Sequence, residues 1–527
     1  MLSEISFNIG KQFDPPSAFA SLDGFNDWHH TQNKSIESTF YDTFDWRLHH
    51  AELTLASDKS SQEFHLYLYD NKTGRLLESI TILNEPDFSW NLPNVKLINL
   101  LTPLLGVRRL LPMIRVERRV QYFSLFNKRE KIILRARKEN IRSFSPLNGT
   151  TKSLRSRLCV EPLKGYAKFY KELVKYIRHS LELTQAQNLM TDATTTLGVR
   201  PGFYSSKLNF MLYPAMRSDA ALKQFLSHLL GTMEINEVGI EADWDTEFLH
   251  DFRVSVRRSR SAIGQIKQVM PIQTLRRLKR DFSWLNEVTG PCRDMDVYLL
   301  AFPHYQDCLP QPQRAALEPL WNFLLERKKT EYKKMIRGLH SARYRNFKSY
   351  LHQYLATPVV ERTTLTHARQ SIKDTARQRI WHVYHRVITE GNAIYDDSPN
   401  EALHKLRKTC KKLRYLLEFS RSLFPEKKIA YLIKVLKQLQ TYLGEFQDYS
   451  VQIHALQGFS QQMSRSGSTN NDTLEAINQL ATILGQKQQK VRNTFHARFS
   501  QFSSKTNTAL FEGLFHHDER SNKADST

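Results

Sequence analysis

Histidines and basic residues occur in one pattern that the chain contains twice. The first copy is His250, Arg253, Arg257, Arg258 and Arg260, and the second is His404, Arg407, Lys411, Lys412 and Arg414. Each residue of the second copy lies 154 positions after its counterpart. Guanidinium and ammonium groups bind phosphate-type oxygens through charge-assisted hydrogen bonds. The residue types therefore indicate a site for an anion that carries several charges.

The spacing places the cations on one side of a helix. Offsets of 0, 3, 7 and 10 from each histidine share a face, because 3.6 residues make one turn, and they form a line of about 15 Å. Such a line could also be a solvated helix face. A solvated face usually mixes signs, however, and no acidic residue occurs between His404 and Tyr415. We therefore favour a linear anion site.

Further residues repeat with the same offset of 154, namely Arg280 with Lys434, Gly290 with Gly444 and Asp294 with Asp448. We assign the two cations to the anion site. The two aspartates are poor ligands for an anion. We expect them to support the site, each by capping a helix or by pairing with an arginine of the preceding motif helix. The glycines, the first of them followed by Pro291, predict helix ends.

The two histidines allow two interpretations. An imidazole near the start of a helix is commonly an interhelical hydrogen-bonding residue. Alternatively, His250 and His404 donate to a phosphate oxygen, and a bound polyanion then favours the protonated form. In that case binding strengthens as the pH falls. The sequence leaves both interpretations open.

Composition agrees with an anionic partner. The 527 residues carry a formal net charge of +23. Four cysteines are scattered without a CxxC pair or metal-ligand spacing, so we predict neither disulfides nor a zinc site, and a cytoplasmic location. The first residues lack the features of a signal peptide, and prolines and arginines interrupt the apolar stretch 97–114. We therefore predict no membrane span.

The chain changes character near residue 205. Before it, short β-branched and aromatic segments at 38–42, 63–69, 114–123 and 131–136 predict antiparallel strands, and 166–183 predicts a helix. After it, apolar residues recur every three or four positions, which predicts helices at 220–232, 246–268, 275–288, 319–339, 368–390, 401–420 and 429–443. Ser398 and Glu401 predict a capping box for the second motif helix. We assign an α+β domain to 1–205, an all-α domain to 206–500, and a tail, disordered at its end, to 501–527.

The helical half resembles the CHAD family, the conserved-histidine α-helical domain. The resemblance covers roughly 205–500 and is carried by LHDFRVSVRRSR (249–260), LNEVTGPCRDMDV (285–297), LHKLRKTCKKLRY (403–415) and LQTYLGEFQDYSV (439–451). It implies two pseudo-symmetric helical bundles that bind inorganic polyphosphate through a basic groove.

The first half resembles the CYTH, or triphosphate-tunnel, family, whose fold is an antiparallel barrel. The resemblance is carried by residues 39–55, 160–166 and 197–207, the last of which ends in a Ser-Lys pair. The catalytic signature is mostly missing. The family's ExExK motif falls on Glu4, Ser6 and Asn8, its arginine pair on Ser57 and Asp58, and a late pair of acids on Cys159 and Glu161. We therefore expect a degenerate domain.

These observations predict a protein that binds inorganic polyphosphate without catalysing a reaction and without a cofactor, in the cytoplasm or at polyphosphate granules. One alternative is a triphosphatase in residues 1–205, which would need Mg²⁺ or Mn²⁺. A second alternative is nucleic-acid binding, which the charge permits. It is disfavoured because no helix-turn-helix or RNA-binding motif is present.

Overall fold

The computed structural model describes residues 4–516, apart from residues 23, 26, 61, 62, 207, 209, 362, 466, 468 and 469. The chain forms two compact units, Met1–Ser205 (unit 1) and Ser206–Thr527 (unit 2). None of the helices in the described part of the chain is long and apolar enough to cross a membrane.

Unit 1 is built on an antiparallel sheet. Its strands are β1 (Ile5–Ile9), β2 (Trp28–Asp42), β3 (Leu53–Ser60), β4 (Glu63–Asp70), β5 (Leu76–Ile82), β6 (Leu111–Phe126), β7 (Ile132–Phe144), β8 (Thr151–Ser153) and β9 (Ser156–Glu161). The strand order is β1-β9-β7-β6-β2-β3-β4-β5, and β8 pairs with β7. Its helices are α1 (Pro15–Phe19), α2 (Arg47–His50), α3 (Val95–Leu105), α4 (Ala167–His179) and α5 (Leu189–Leu197). The predicted α+β class is confirmed.

Alternation along the strands separates the two faces of this sheet. On one face, Leu134 and Leu158 are buried together with Leu173 of α4. Towards β5, Leu66 is buried against Leu101 of α3. Apolar burial on this face leaves the opposite face free to carry charged side chains.

Unit 2 is largely helical, as predicted. Its helices are α6 (Ser218–Glu241), α7 (Thr246–Gln265), α8 (Ile272–Cys308), α9 (Gln311–Arg314), α10 (Glu318–Leu339), α11 (Ala342–Ala356), α12 (Ile372–Asn392), α13 (Asn400–Phe419), α14 (Glu426–Arg465), α15 (Asn471–Arg492), α16 (Phe495–Phe502) and α17 (Lys505–Phe515). Helices α12, α13 and α14 each begin 154 positions after α6, α7 and α8, respectively. The sequence repeat is thus also a repeat of helices.

Reciprocal hydrogen bonds relate the two copies by a pseudo-two-fold axis. The Ser218 N–H donates to the Gln370 carbonyl at 2.9 Å, and the Ile372 N–H donates to the Met216 carbonyl at 2.8 Å. Ser218 and Ile372 are 154 residues apart, and so are Met216 and Gln370, so exchanging the two copies converts the first bond into the second. Self-complementary contacts of this kind are characteristic of two-fold symmetry.

The helix ends predicted at Gly290 and Gly444 are wrong. Both glycines lie inside long continuous helices, α8 and α14. The halves that follow them are buried against each other, with the rings of Tyr298 and Phe459 5.3 Å apart. This burial outweighs the low helix propensity of glycine, because propensity is a weak preference that tertiary packing overrides.

The predicted capping box is also wrong. The Ser398 hydroxyl accepts a hydrogen bond from the Tyr395 N–H at 2.8 Å, and α13 begins after Pro399 without a side-chain cap. Within the segment assigned to the tail, α17 packs on α12, where Phe511 stacks on Tyr384 at 3.9 Å. The remainder of that tail, residues 517–527, lies outside the described residues.

The close packing predicts opposite effects for two glycine substitutions. A Cβ at Gly391 would lie 2.0 Å from the ring of buried Phe499, whereas a Cβ at Gly458 would meet nothing within 4 Å. We expect Gly391→Ala to lower the free energy of unfolding by about 1–3 kcal/mol. We expect Gly458→Ala to raise it by up to about 1 kcal/mol, since alanine favours the helix. Denaturant unfolding measures both, and a destabilised Gly458→Ala would contradict the packing.

Candidate anion-binding site

Arg253 anchors the first motif helix to the helix that follows it. Its guanidinium donates to the Asn286 carbonyl at 3.0 Å and to the Thr289 hydroxyl at 2.8 Å. A Cβ at Gly290 would lie only 3.5 Å from this guanidinium. The glycine thus provides room for the arginine. Burial, followed by repulsion from Arg257, lowers the pKa of Arg253 to about 10.

Arg407 occupies the equivalent position in the second copy. A Cβ at Gly444 would lie 3.6 Å from its guanidinium, which pairs with Asp448 at 3.3 Å. Asp294 in turn is one of the charges that act on Arg253. Neither aspartate caps a helix, because α8 and α14 are continuous at both positions. The aspartates act on the arginines of the motif helices instead.

Both histidines make an interhelical contact through Nδ1. Arg293 donates to His250 at 3.1 Å, and His404 lies 2.6 Å from the amide oxygen of Gln447. A guanidinium can only donate, so the Nδ1 of His250 accepts and its ring is neutral in this contact. Donation by either histidine to a phosphate stays a prediction.

Arg293 and Gln447 were missed in the sequence analysis. They are 154 residues apart, so the repeat offset could have identified them, but the change from arginine to glutamine hides the relationship. Arg293 also donates to the Thr246 carbonyl at 3.0 Å. It therefore ties the start of α7 to α8.

Cations of the two motif helices meet where α7 and α13 pack together. Burial is the main cause that lowers the pKa of Lys411 to about 8, and repulsion from Arg407, Arg257 and Arg414 adds to it. Arg257 belongs to α7 and is the repeat equivalent of Lys411. Interaction across the pseudo-two-fold axis therefore joins both lines of cations into one cluster. We call Arg253, Arg257, Arg407, Lys411 and Arg414 the cationic cluster.

Glu418 introduces a negative charge beside this cluster. It lies 3.6 Å from Arg258 of α7 and 3.5 Å from Arg414 of α13. Arg258 also donates to the Ser206 carbonyl at 2.9 Å. In contrast, the side chain of Arg260 is exposed, and that of Lys412 is half-buried.

Arg280 and Lys434 lie further along α8 and α14, with exposed side chains. Arg280 donates to Asp281 at 3.2 Å. Neither is among the main charges that lower the pKa of Arg253 or Lys411. Their assignment to the anion site stays a prediction.

Unit 1 carries its own charged face, and several of the expected catalytic positions lie on it. Arg137 donates to Glu4 at 2.7 Å and to Glu139 at 2.6 Å. The Ser6 hydroxyl contacts the Cys159 thiol at 3.1 Å, and burial raises the pKa of that thiol to about 12. The one acid kept from the family's opening motif is thus held by an arginine.

A second arginine on this face is also paired with acids. Arg118 donates to Asp58 at 3.2 Å and to Ser38 at 2.8 Å, and it lies 3.7 Å from Glu139. Among the described residues, no three His, Cys, Asp or Glu side chains are grouped so that they could hold a metal ion. Lys207, the end of the segment that resembles the CYTH family's last motif, lies outside the described residues.

Comparison with protein families identifies the helical unit. Residues 224–457, which include both motif copies with Asp294 and Asp448, match the model of the CHAD domain. The helical unit contains a CHAD domain. A comparison with curated proteins found no match.

Three solved structures are similar to parts of the chain. The CHAD domain of the plant Ricinus communis is 23% identical, with 59% of this chain and 95% of that chain covered and a TM-score of 0.42. PptA from Streptomyces chartreusis is 14% identical, with coverage of 54% and 99% and a TM-score of 0.41. A candidate adenylate cyclase from Bacillus halodurans is 12% identical, with coverage of 36% and 94% and a TM-score of 0.25.

Burial and neighbouring cations disfavour the charged form of Lys411, so we predict that this charge lowers the free energy of unfolding at neutral pH. The unfolded chain keeps the Lys411 proton up to its ordinary pKa of 10.5, whereas the folded protein loses it near pH 8. Between these values the unfolded state binds more protons, so this group makes the protein more stable as the pH rises. We therefore expect Lys411→Met to raise the free energy of unfolding at pH 7, by an amount that shrinks at pH 9.5.

Denaturant unfolding at both pH values, without ligand, measures this effect. Lys333→Met, at an exposed position of α10, is the matched control and should change little at either pH. A loss of stability in Lys411→Met at pH 7 would mean that its packing outweighs the repulsion.

Proposed function

We propose that the CHAD domain binds inorganic polyphosphate along the cationic cluster between α7 and α13. The observation that carries this proposal is the packing of α7 on α13, which brings Lys411 close to arginines of both motif helices. Positive charges held this close repel one another, and a polyanion would remove that repulsion. Resemblance to the CHAD family supports polyphosphate as the identity of the polyanion.

A linear ligand suits the arrangement better than a compact one. Successive phosphates of one chain can contact the cations of α7 and then those of α13. Contacts made by one ligand at two linked sites raise the affinity through effective concentration. Each neutralised phosphate also releases counterions, so binding should weaken steeply with salt.

The site predicts which substitutions weaken binding. Arg257 and Lys411 are repeat equivalents in the middle of the cluster. Charge-assisted hydrogen bonds contribute about 1.5–3 kcal/mol each, so we expect Arg257→Gln with Lys411→Gln to weaken binding on the order of 100-fold or more. Titration calorimetry with long-chain polyphosphate measures this loss. Tripolyphosphate should bind the wild-type protein much more weakly than the long chain does.

The matched control removes two positive charges elsewhere. Lys329 and Lys333 are exposed on α10, and Lys329→Gln with Lys333→Gln should change the affinity by less than about threefold at fixed salt. Equal losses in both double variants would show that bulk charge, not this site, binds the polyanion. DNA added as a competitor at the same salt concentration tests the nucleic-acid alternative.

We also propose that unit 1 does not hydrolyse tripolyphosphate. Glu4, Asp58 and Glu139 are paired with arginines, so the carboxylates that a divalent cation would need are engaged by protein cations. The same pairs engage the arginines that could bind the substrate. We expect phosphate release with Mg²⁺ or Mn²⁺ to stay at the rate without protein. Metal-dependent turnover on the order of 1 to 1,000 per second would establish the triphosphatase alternative.

A further inference from the structure

The two repeat copies within the CHAD domain differ at Glu418, a charged residue beside the cationic cluster. Glu418 of the second copy corresponds to Gly264 of the first, because the two residues are 154 positions apart. The same offset relates Arg258 to Lys412 and Arg260 to Arg414. At these two pairs of positions both copies carry cations, whereas the acid at position 418 has no counterpart at position 264.

On one side of the pseudo-two-fold axis, the Glu418 carboxylate pairs with two arginines. Glu418 lies within 3.6 Å of both Arg258 and Arg414, and only 15% of its side chain is exposed. Arg258 is equally buried, and 27% of the Arg414 side chain is exposed. A phosphate that approaches these arginines would have to compete with a carboxylate that is already in place.

On the other side of the axis, which carries Gly264, the cations equivalent to Arg258 and Arg414 are Lys412 and Arg260. Glycine at position 264 supplies no acid, and a Cβ built there meets nothing within 4 Å. Arg260 is exposed, whereas its equivalent Arg414 is half-buried beside Glu418. This side thus offers two cations and open space at the position where the other side offers a carboxylate.

We propose that the polyanion site is one-sided, with the stronger phosphate subsite formed by Lys412 and Arg260 beside Gly264. Glu418 weakens the equivalent subsite at Arg258 and Arg414. The proposal rests on the proposed function and adds a direction to it. In a fully symmetric groove, a linear polyanion could bind equally well in two orientations related by the pseudo-two-fold axis. Glu418 makes these two orientations unequal in affinity.

The test exchanges the charge between the two sides. Gly264→Glu places a carboxylate at the repeat equivalent of Glu418, and Gly264→Gln is its uncharged control of the same size. We expect Gly264→Glu to weaken binding of long-chain polyphosphate by about tenfold and to reduce its salt dependence, whereas Gly264→Gln stays near the wild type. Equal affinities of the two variants would overturn the proposal.

The reciprocal variant is Glu418→Gln. It should bind polyphosphate more tightly than the wild type, because Arg258 and Arg414 become available. Loss of a partly buried carboxylate also leaves two arginines unpaired, which destabilises the free protein. The rise in melting temperature on adding polyphosphate is therefore measured as well, and it should be larger in Glu418→Gln than in the wild type. An unchanged affinity and an unchanged rise would count against the proposal. Failure of the proposed function itself would appear separately, as a wild-type protein that does not bind polyphosphate.

Discussion

Repulsion among positive charges between α7 and α13 is the constraint on which the helical unit depends. Burial in the folded chain, together with repulsion from Arg407, Arg257 and Arg414, lowers the pKa of Lys411 to about 8. Apolar packing on the other sides of both helices must outweigh this cost. Phe252 and Val256 of α7, and Leu406 and Leu413 of α13, are fully buried there. A ligand that neutralised the cluster would remove a repulsion that the folded chain already contains.

Duplication explains how the cluster is formed, and divergence explains how it is tuned. A helix that carries a line of cations meets its own copy at the pseudo-two-fold axis, so equivalent residues such as Arg257 and Lys411 become neighbours. The copies also differ at positions away from the cationic cluster. Phe225 packs on Phe419 at 4.8 Å, whereas their equivalents Arg379 and Gln265 form a hydrogen bond of 3.1 Å. One side of the interface is apolar and the other is polar, although the backbones correspond.

The sequence predicted the helical half well, because a fixed offset of 154 residues records the same arrangement of helices twice. It failed where local signals and tertiary packing disagree. Gly290 with Pro291 is a strong stop signal for an isolated helix, yet α8 continues because its second half is buried against α14. The glycine instead leaves room for Arg253. Glu418 could not be recognised either, since its importance lies in a contact with Arg258, which is distant in sequence and on another helix.

Arginines are in different surroundings in the two units, because unit 1 supplies acidic partners for them and unit 2 has fewer acids than cations. On the charged face of unit 1, Arg118 and Arg137 each lie next to two carboxylates, which neutralise their charge. Unit 2 has 48 lysines and arginines against 32 aspartates and glutamates, and the motif helix α13 carries its acids only near its two ends. Its cations consequently outnumber the partners within reach. An excess of this kind is costly for a folded protein on its own, and a bound anion would lower that cost.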